Sequence, residues 1–159
     1  MLWMVNGSLV FALVSALLRD AEQTLHSALW LAGWGHFLLL IAGTQLPVRM
    51  DWKNDLARLH PFNRKLLWTY WVFVGTTVVA FGVLTLLLHD ELLRGDRAAL
   101  ALASFIALFW AMRIVVDATY FSHRDWPAGP QFVVGHVLLT SLFVFLLSTY
   151  AGLLLWHSA

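Results

Sequence analysis

Arg113 and Asp117 stand one helical turn apart at the end of an otherwise apolar run, residues 98–116. A charge in lipid costs at least about 2.5 kcal/mol, so such a pair persists only where its members satisfy each other or face a protein interior. Arginine presents a planar fork of donors that suits a carboxylate or a phosphate, and a carboxylate at i+4 orients that fork. His136, near the start of the last apolar run, adds a group that donates or exchanges a proton near neutral pH. At about 1.5 Å of rise per residue, Arg113 and His136 each lie about 7 Å from the same membrane boundary, so helical spans put them at one level. Trp68 and Tyr70 sit near that level, with Asn63 and Arg64 just below it. Arg113, Asp117, His136, Tyr70, Trp68, Asn63 and Arg64 are therefore the candidate lining of a site for an anion, a lipid headgroup or a quinone-like molecule. The alternative for these residues is structural: an intrahelical ion pair, and a histidine satisfied by Thr140 or a backbone carbonyl.

Seven histidines raise a second chemistry, because imidazoles on two helices can ligate haem iron axially. His36 shares a helix face with Ala32, Gly33 and Gly43, which leaves room for a flat cofactor, and His136 is its intramembrane partner for haem b. Their depths differ by about 8 Å, which requires a tilted or shifted helix. His26, His89 and His157 fall at the opposite rim beside Asp90 and Glu91, an alternative Zn or Cu set, although none has metal-ligand spacing such as His-x-x-x-His. The chain has no cysteine, hence no disulfide, thiolate nucleophile or cysteine-held cluster. It also lacks a phosphate-binding glycine loop, a nucleophile elbow and a two-His-plus-Glu protease motif.

The elements that position these groups follow from composition. Of 159 residues 60% are hydrophobic and only 12% charged, with mean hydropathy +0.75, beyond what a soluble domain of this size needs for a core. Four runs reach the roughly 20 residues needed to cross a bilayer: 27–46, 66–88, 98–116 and 131–156. All are expected to be α-helices, since lipid offers the backbone no partners. Residues 2–18 are expected to form a fifth span, shorter and interrupted by Asn6, Gly7, Ser8 and Ser15; they lack the basic start and cleavage site of a secretory signal. The expected fold class is thus an all-α polytopic transmembrane helical bundle, one domain over residues 1–159.

Residues 47–65 hold Arg49, Lys53, Arg58, Arg64 and Lys65, half of the ten basic residues. Such a loop belongs on the cytoplasmic side, which puts the carboxyl terminus outside, in a bacterial inner membrane. Within the loop, Trp52, Leu56 and Leu59 recur at helical spacing and predict a short interfacial helix capped by Asp51. Many of the nine tryptophans, among them Trp52, Trp68, Trp126 and Trp156, fall near expected interfaces, where such rings anchor spans. With net charge +1, the basic loop speaks for topology and lipid attraction rather than for nucleic acid.

Ala99, Ala103, Ala107 and Ala111 repeat every four residues and form a helix contact face, with Arg113 about 200° around the helix from Ala111. Both faces must then meet protein, and a small bundle has few helices to cover them. This favours other membrane protein subunits or a homo-oligomer as partners.

The run Leu59, His60, Pro61, Phe62, Asn63, Arg64 leading to Trp68 and Tyr70, then Phe109, Trp110 and Arg113, then Gly135 with His136, resembles a pattern in small bacterial four-span membrane proteins of unknown function. The likeness covers about residues 27–152. That pattern commonly carries glutamine or another polar residue where Asn63, Arg64 and Asp117 stand here. The resemblance implies a four-span architecture in a bacterial membrane and carries no reaction with it.

Two function classes follow. The first is a non-catalytic accessory or structural subunit packed against partner membrane proteins; the second is a protein that binds haem b, quinone or anionic lipid through the Arg113 cluster. A proton or ion transporter component ranks third, because one Arg, Asp and His set starts a relay without completing a path.

Overall fold

A computed structural model describes residues 21–121 and 129–158. Among these residues there are only helices: α1 (Ala21–Arg49), α2 (Trp52–Asp55) with a 3-10 turn (Leu56–Arg58), α3 (Pro61–Leu87), α4 (His89–Arg94), α5 (Arg97–Thr119) and α6 (Pro130–Ser158). The four long ones are each long and apolar enough to cross a membrane. The chain is an all-α helical bundle. The expected span at 2–18 lies outside the described residues.

Each long helix is longer than the apolar stretch that announced it, although α3 stops one residue short of Leu88. α1 begins six residues before its stretch and runs on through Pro47 to Arg49. Proline at position 47 removes the hydrogen bond to the carbonyl of Gly43 and normally ends or kinks a helix. Here the helix continues for two residues beyond it and carries Arg49 with it. α3 begins at Pro61, a residue suited to a first helical turn, and His60 caps it by accepting the Phe62 N–H at its Nδ1, 3.3 Å away. Asp51 does stand before the short helix at Trp52, but it corrects the expected cap. Its backbone is left-handed (φ 48°) and its side chain accepts from Asn54 Nδ2 at 2.8 Å rather than from a backbone N–H.

α1 is the central helix, packed against α3 on one side and α6 on the other, and α6 packs in turn against α5. α3 meets α5 through rings, with Phe81 edge-on to Phe105 and Phe109. α1 and α3 cross backbone to backbone: a Cβ built on Gly82 would lie 3.0 Å from the Gly33 carbonyl and 3.1 Å from His36 Cβ. The alanine face of α5 is spent inside this bundle, with Ala99, Ala103 and Ala107 buried and Ala111 half-buried. It lets α5 approach its neighbours closely without help from another chain.

The core holds a small polar chain. His36 is fully buried; its Nδ1–H donates to the Ala32 carbonyl (2.7 Å) and its Nε2 accepts the indole N–H of Trp110 (3.2 Å). Trp110 in turn stacks on Phe143 of α6. Beside it, with the Tyr150 ring 6.1 Å from that of His36, the Tyr150 hydroxyl donates to Thr85 Oγ1 (2.6 Å), and the Thr85 hydroxyl donates to the Phe81 carbonyl (2.7 Å). Burial without such bonds would cost several kcal/mol per group in lipid, so these four side chains tie α1, α3, α5 and α6 in one register.

Burial along α3 is uneven. Its buried residues, Val78, Phe81, Gly82 and Thr85, all lie in the second half, whereas nearly every residue of 61–74 is exposed. Near its start α3 meets the short helix and the 3-10 turn that follows it, with the rings of Trp52, Trp68 and Trp71 mutually edge-on. The basic end of the bundle is therefore built from α1, α5 and α6, with α3 standing off.

Candidate functional site

α5 and α6 pack side by side, and their basic ends bring Arg113, Asp117, His136 and Thr140 together. Arg113 Nη1 donates to Asp117 Oδ1 at 3.2 Å within α5, the i, i+4 geometry expected from spacing. The Thr140 hydroxyl donates to Asp117 Oδ2 from α6 at 3.3 Å, and His136 Nε2 lies 3.4 Å from the same oxygen and 3.3 Å from Thr140 Oγ1. Asp117 is thus enclosed by donors from two helices, and its side chain is only 11% exposed. Charge-assisted bonds of this kind satisfy a carboxylate that would otherwise be costly to bury.

The Arg113 guanidinium also lies over two aromatic rings. Its Cζ lies 5.0 Å from the Phe143 ring centroid and 5.8 Å from that of Phe121. Cation–π contact and the bond to Asp117 hold the group in place. Only one of its five donors goes to Asp117, and the side chain keeps 38% of its surface exposed.

That surface faces a cavity of about 760 Å³ between α1, α5 and α6. Its polar lining is Gln45 and Arg49 from α1, Arg113 and Asp117 from α5, and Gln131 and His136 from α6. Arg49 Nε donates to Gln45 Oε1 at 3.0 Å, which holds the second guanidinium on the rim. Apolar walls are formed by Leu38, Leu139 and Leu142, and Leu38 and Leu138 on the lining are 60% and 65% exposed. A second cavity of about 530 Å³ lies between α1 and α3, lined by Gly43, Trp71 and Gly75 among aliphatic side chains, with no charged group.

Four residues expected at the site are elsewhere. Trp68 belongs to the tryptophan cluster and is 39% exposed, Tyr70 is 62% exposed on the outside of α3, and Asn63 and Arg64 lie on the exposed first turn of that helix. None of the four lines the cavity. Equal depth was the basis for including them, and depth says nothing about which helices are neighbours. Gln45, Arg49 and Gln131 take their places. The signal for Arg49 was its position two residues after Pro47, hidden by ending the first span at Leu46.

The haem geometry is not assembled. Both ring nitrogens of His36 are engaged, with Ala32 and with Trp110, and His136 faces Asp117 and Thr140. Ligation at His36 Nε2 would strand the Trp110 N–H in the core. At the opposite rim His26 and His89 do meet, rings edge-on at 4.6 Å, but His89 Nε2 lies 3.2 Å from the His26 carbonyl, as a donor to it. His157 packs instead over Gly95, where a Cβ would lie 2.6 Å from its Nδ1, so the missing side chain leaves the room. Among the described residues no group of three or more His, Cys, Asp or Glu is placed to hold a metal ion.

Comparison with protein-family models, curated proteins and solved structures finds no match to this chain.

Proposed function

We propose that this chain is a small integral membrane protein, with its 47–65 loop on the cytoplasmic side of a bacterial inner membrane, that holds an anionic amphiphile in the groove between α1, α5 and α6. The reading rests on one observation: the groove is polar and cationic at the end where Arg49 and Arg113 lie, and aliphatic along the walls that carry exposed Leu38 and Leu138. A molecule with an acidic head and an apolar tail matches both parts, the head paired with the guanidinium fork and the tail left in contact with leucine and bilayer. Asp117 and Thr140 belong to the support of Arg113, since their polar atoms already meet each other and Arg113.

The test is to extract the protein in mild detergent, isolate it by size exclusion, and identify co-purified lipids by mass spectrometry. Enrichment of an acidic lipid over its share of the membrane extract is expected for the wild type. Arg113→Leu is expected to elute at the same volume without that enrichment. An identical lipid profile for the two proteins would sink the reading.

A second reading is an accessory subunit packed against partner membrane proteins or another copy of the chain. It is favoured by α3, whose first half carries exposed Trp68, Tyr70, Val72 and Phe73 away from the other long helices. The same chromatography separates the two, because a stoichiometric protein partner lost on replacing Tyr70 and Phe73 would support the subunit.

A further inference from the structure

We propose that the cavity between α1 and α3 is a separate site, which takes one acyl chain of an anionic phospholipid from the leaflet beside the basic segment, with the headgroup against Lys53 and Arg64. The proposal does not rest on the groove between α1, α5 and α6. It starts from glycines on facing helices. At Gly33 and Gly82 the missing side chains are used by the helix crossing, since a Cβ on either would press into the other helix. Farther along the same pair, a Cβ on Gly43 would meet nothing within 4 Å, and one on Gly75 would make only an ordinary contact, 3.7 Å from Leu40 Cδ1. Glycine inside a helix is disfavoured against alanine, and here no close approach of the described chain accounts for it. Both glycines open onto the cavity of about 530 Å³. Its described lining is otherwise aliphatic but for Trp71, Thr44 and Thr76, and the two threonine hydroxyls donate to the carbonyls of Ile41 and Val72 on their own helices. Such a wall offers apolar contact and no free hydroxyl donor, which suits a hydrocarbon chain.

The face of α3 that leads to the cavity points to what this chain is attached to. Arg64, Trp68, Trp71 and Gly75 follow at intervals of four, three and four residues, so one stripe runs from a cation through two indole rings to the open glycine. The Trp71 ring lies 5.6 Å from that of Trp68 and 6.3 Å from that of Trp52, which brings the short helix with Lys53 beside the cavity wall. Lys53, Arg64 and Trp68 are exposed, so the cations act from the membrane surface. Arg64 and Gly75 are about 16 Å apart along the helix, close to the roughly 15 Å of one leaflet's hydrocarbon. Cation, then aromatic rings, then open apolar space is the order of phosphate, glycerol and acyl chain in a phospholipid. The segment 47–65 carries Arg49, Lys53, Arg58, Arg64 and Lys65 against Asp51 and Asp55, and Asp51 already accepts from Asn54 at 2.8 Å, which favours an anionic headgroup over a zwitterionic one.

The test uses the full chain in phosphatidylcholine nanodiscs containing a small share of a lipid brominated midway along its acyl chains, either phosphatidylglycerol or phosphatidylcholine. Bromine quenches indole fluorescence on contact, and the difference between each protein and its own Trp71→Phe variant isolates the Trp71 signal. Phosphatidylglycerol is expected to quench Trp71 at least about fivefold more strongly than phosphatidylcholine at equal share, the factor one surface cation supplies. Gly75→Leu and Gly43→Leu each place a side chain in the open space; both are expected to elute as wild type and to show the same weak quenching by either lipid. Lys53→Gln combined with Arg64→Gln is expected to remove the phosphatidylglycerol preference. Equal quenching of wild-type Trp71 by the two lipids overturns the anionic headgroup. A preference that survives both leucine variants overturns the cavity as its place, because general attraction to the basic segment then accounts for it. Absence of quenching by either lipid overturns the site as a whole. Arg113→Leu, which alters the other groove, is expected to leave Trp71 quenching unchanged, so failure here and failure of the α1–α5–α6 reading are told apart.

Discussion

The indole N–H of Trp110 on α5 donates to Nε2 of His36 on α1 across 3.2 Å, in the fully buried middle of the bundle. α1 and α5 share few other contacts, so this bond links helices that otherwise communicate through α3 and α6. Its geometry makes His36 a structural residue, whose second nitrogen is closed off by Ala32.

Trp110→Phe removes the donor but keeps a ring against Phe143, and is expected to destabilise the bundle by about 1 kcal/mol, the scale measured for interhelical bonds in membranes. His36→Leu leaves the indole N–H unpaired and is expected to cost more, about 1–3 kcal/mol. Thermal unfolding in detergent of the two single variants and the double variant would measure the coupling. A double variant whose loss equals the sum of the singles would show that the bond carries no net energy.

Two glycines on neighbouring helices should respond oppositely. Gly82→Val drives a side chain into the Gly33 carbonyl and His36 Cβ, and is expected to cost at least about 1–3 kcal/mol by forcing α1 and α3 apart. A Cβ at Gly43 meets nothing within 4 Å, so Gly43→Ala is expected to be neutral or to stabilise by up to about 1 kcal/mol through helix propensity. Loss of folded protein for Gly43→Ala, or its retention for Gly82→Val, would contradict the crossing described here.

Tyr150→Phe and Thr85→Val cut the same buried bond from opposite sides. Tyr150→Phe leaves Thr85 with its hydroxyl still donated to Phe81, whereas Thr85→Val leaves the Tyr150 hydroxyl without that acceptor. The second variant is expected to be the less stable, by about 1 kcal/mol. Matched unfolding midpoints would mean that the tyrosine finds another partner.

Orientation can be read with single cysteines, since the chain has none of its own. Lys53→Cys lies in the basic segment and Asp90→Cys at the opposite end, both exposed. In intact cells a membrane-impermeant maleimide is expected to label Asp90→Cys, and to label Lys53→Cys only after the membrane is opened. The reverse pattern would invert the proposed topology.

Much of the architecture was written in the chain, and the reason is lipid. A helix must satisfy its own backbone there, so a long apolar run such as 131–156 permits one structure, and α6 forms over it. The pair Arg113 and Asp117 was equally legible, because four residues along one helix fix a contact without reference to any other element. His136 joined them because α5 and α6 are consecutive and neighbours. Tyr70 and Trp68 did not, because helix order is decided by packing at residues such as Gly33, Gly82 and Leu86, whose pairing no periodicity reveals. Arg49 was missed for a local reason, a proline that reads as a stop and is tolerated near the helix end.

The crossing of α1 and α3 at Gly33 and Gly82 lies in the half of the bundle away from the basic loop. Two rods pinned near one end act as a caliper: a small change of angle at the pin becomes a larger displacement where α3 begins. The cavity lined by Gly43, Trp71 and Gly75 lies between the arms, so its width follows the angle at the crossing. The spacing of the first turn of α3 and its tryptophans from the rest of the protein is thus set by the angle at a single glycine crossing.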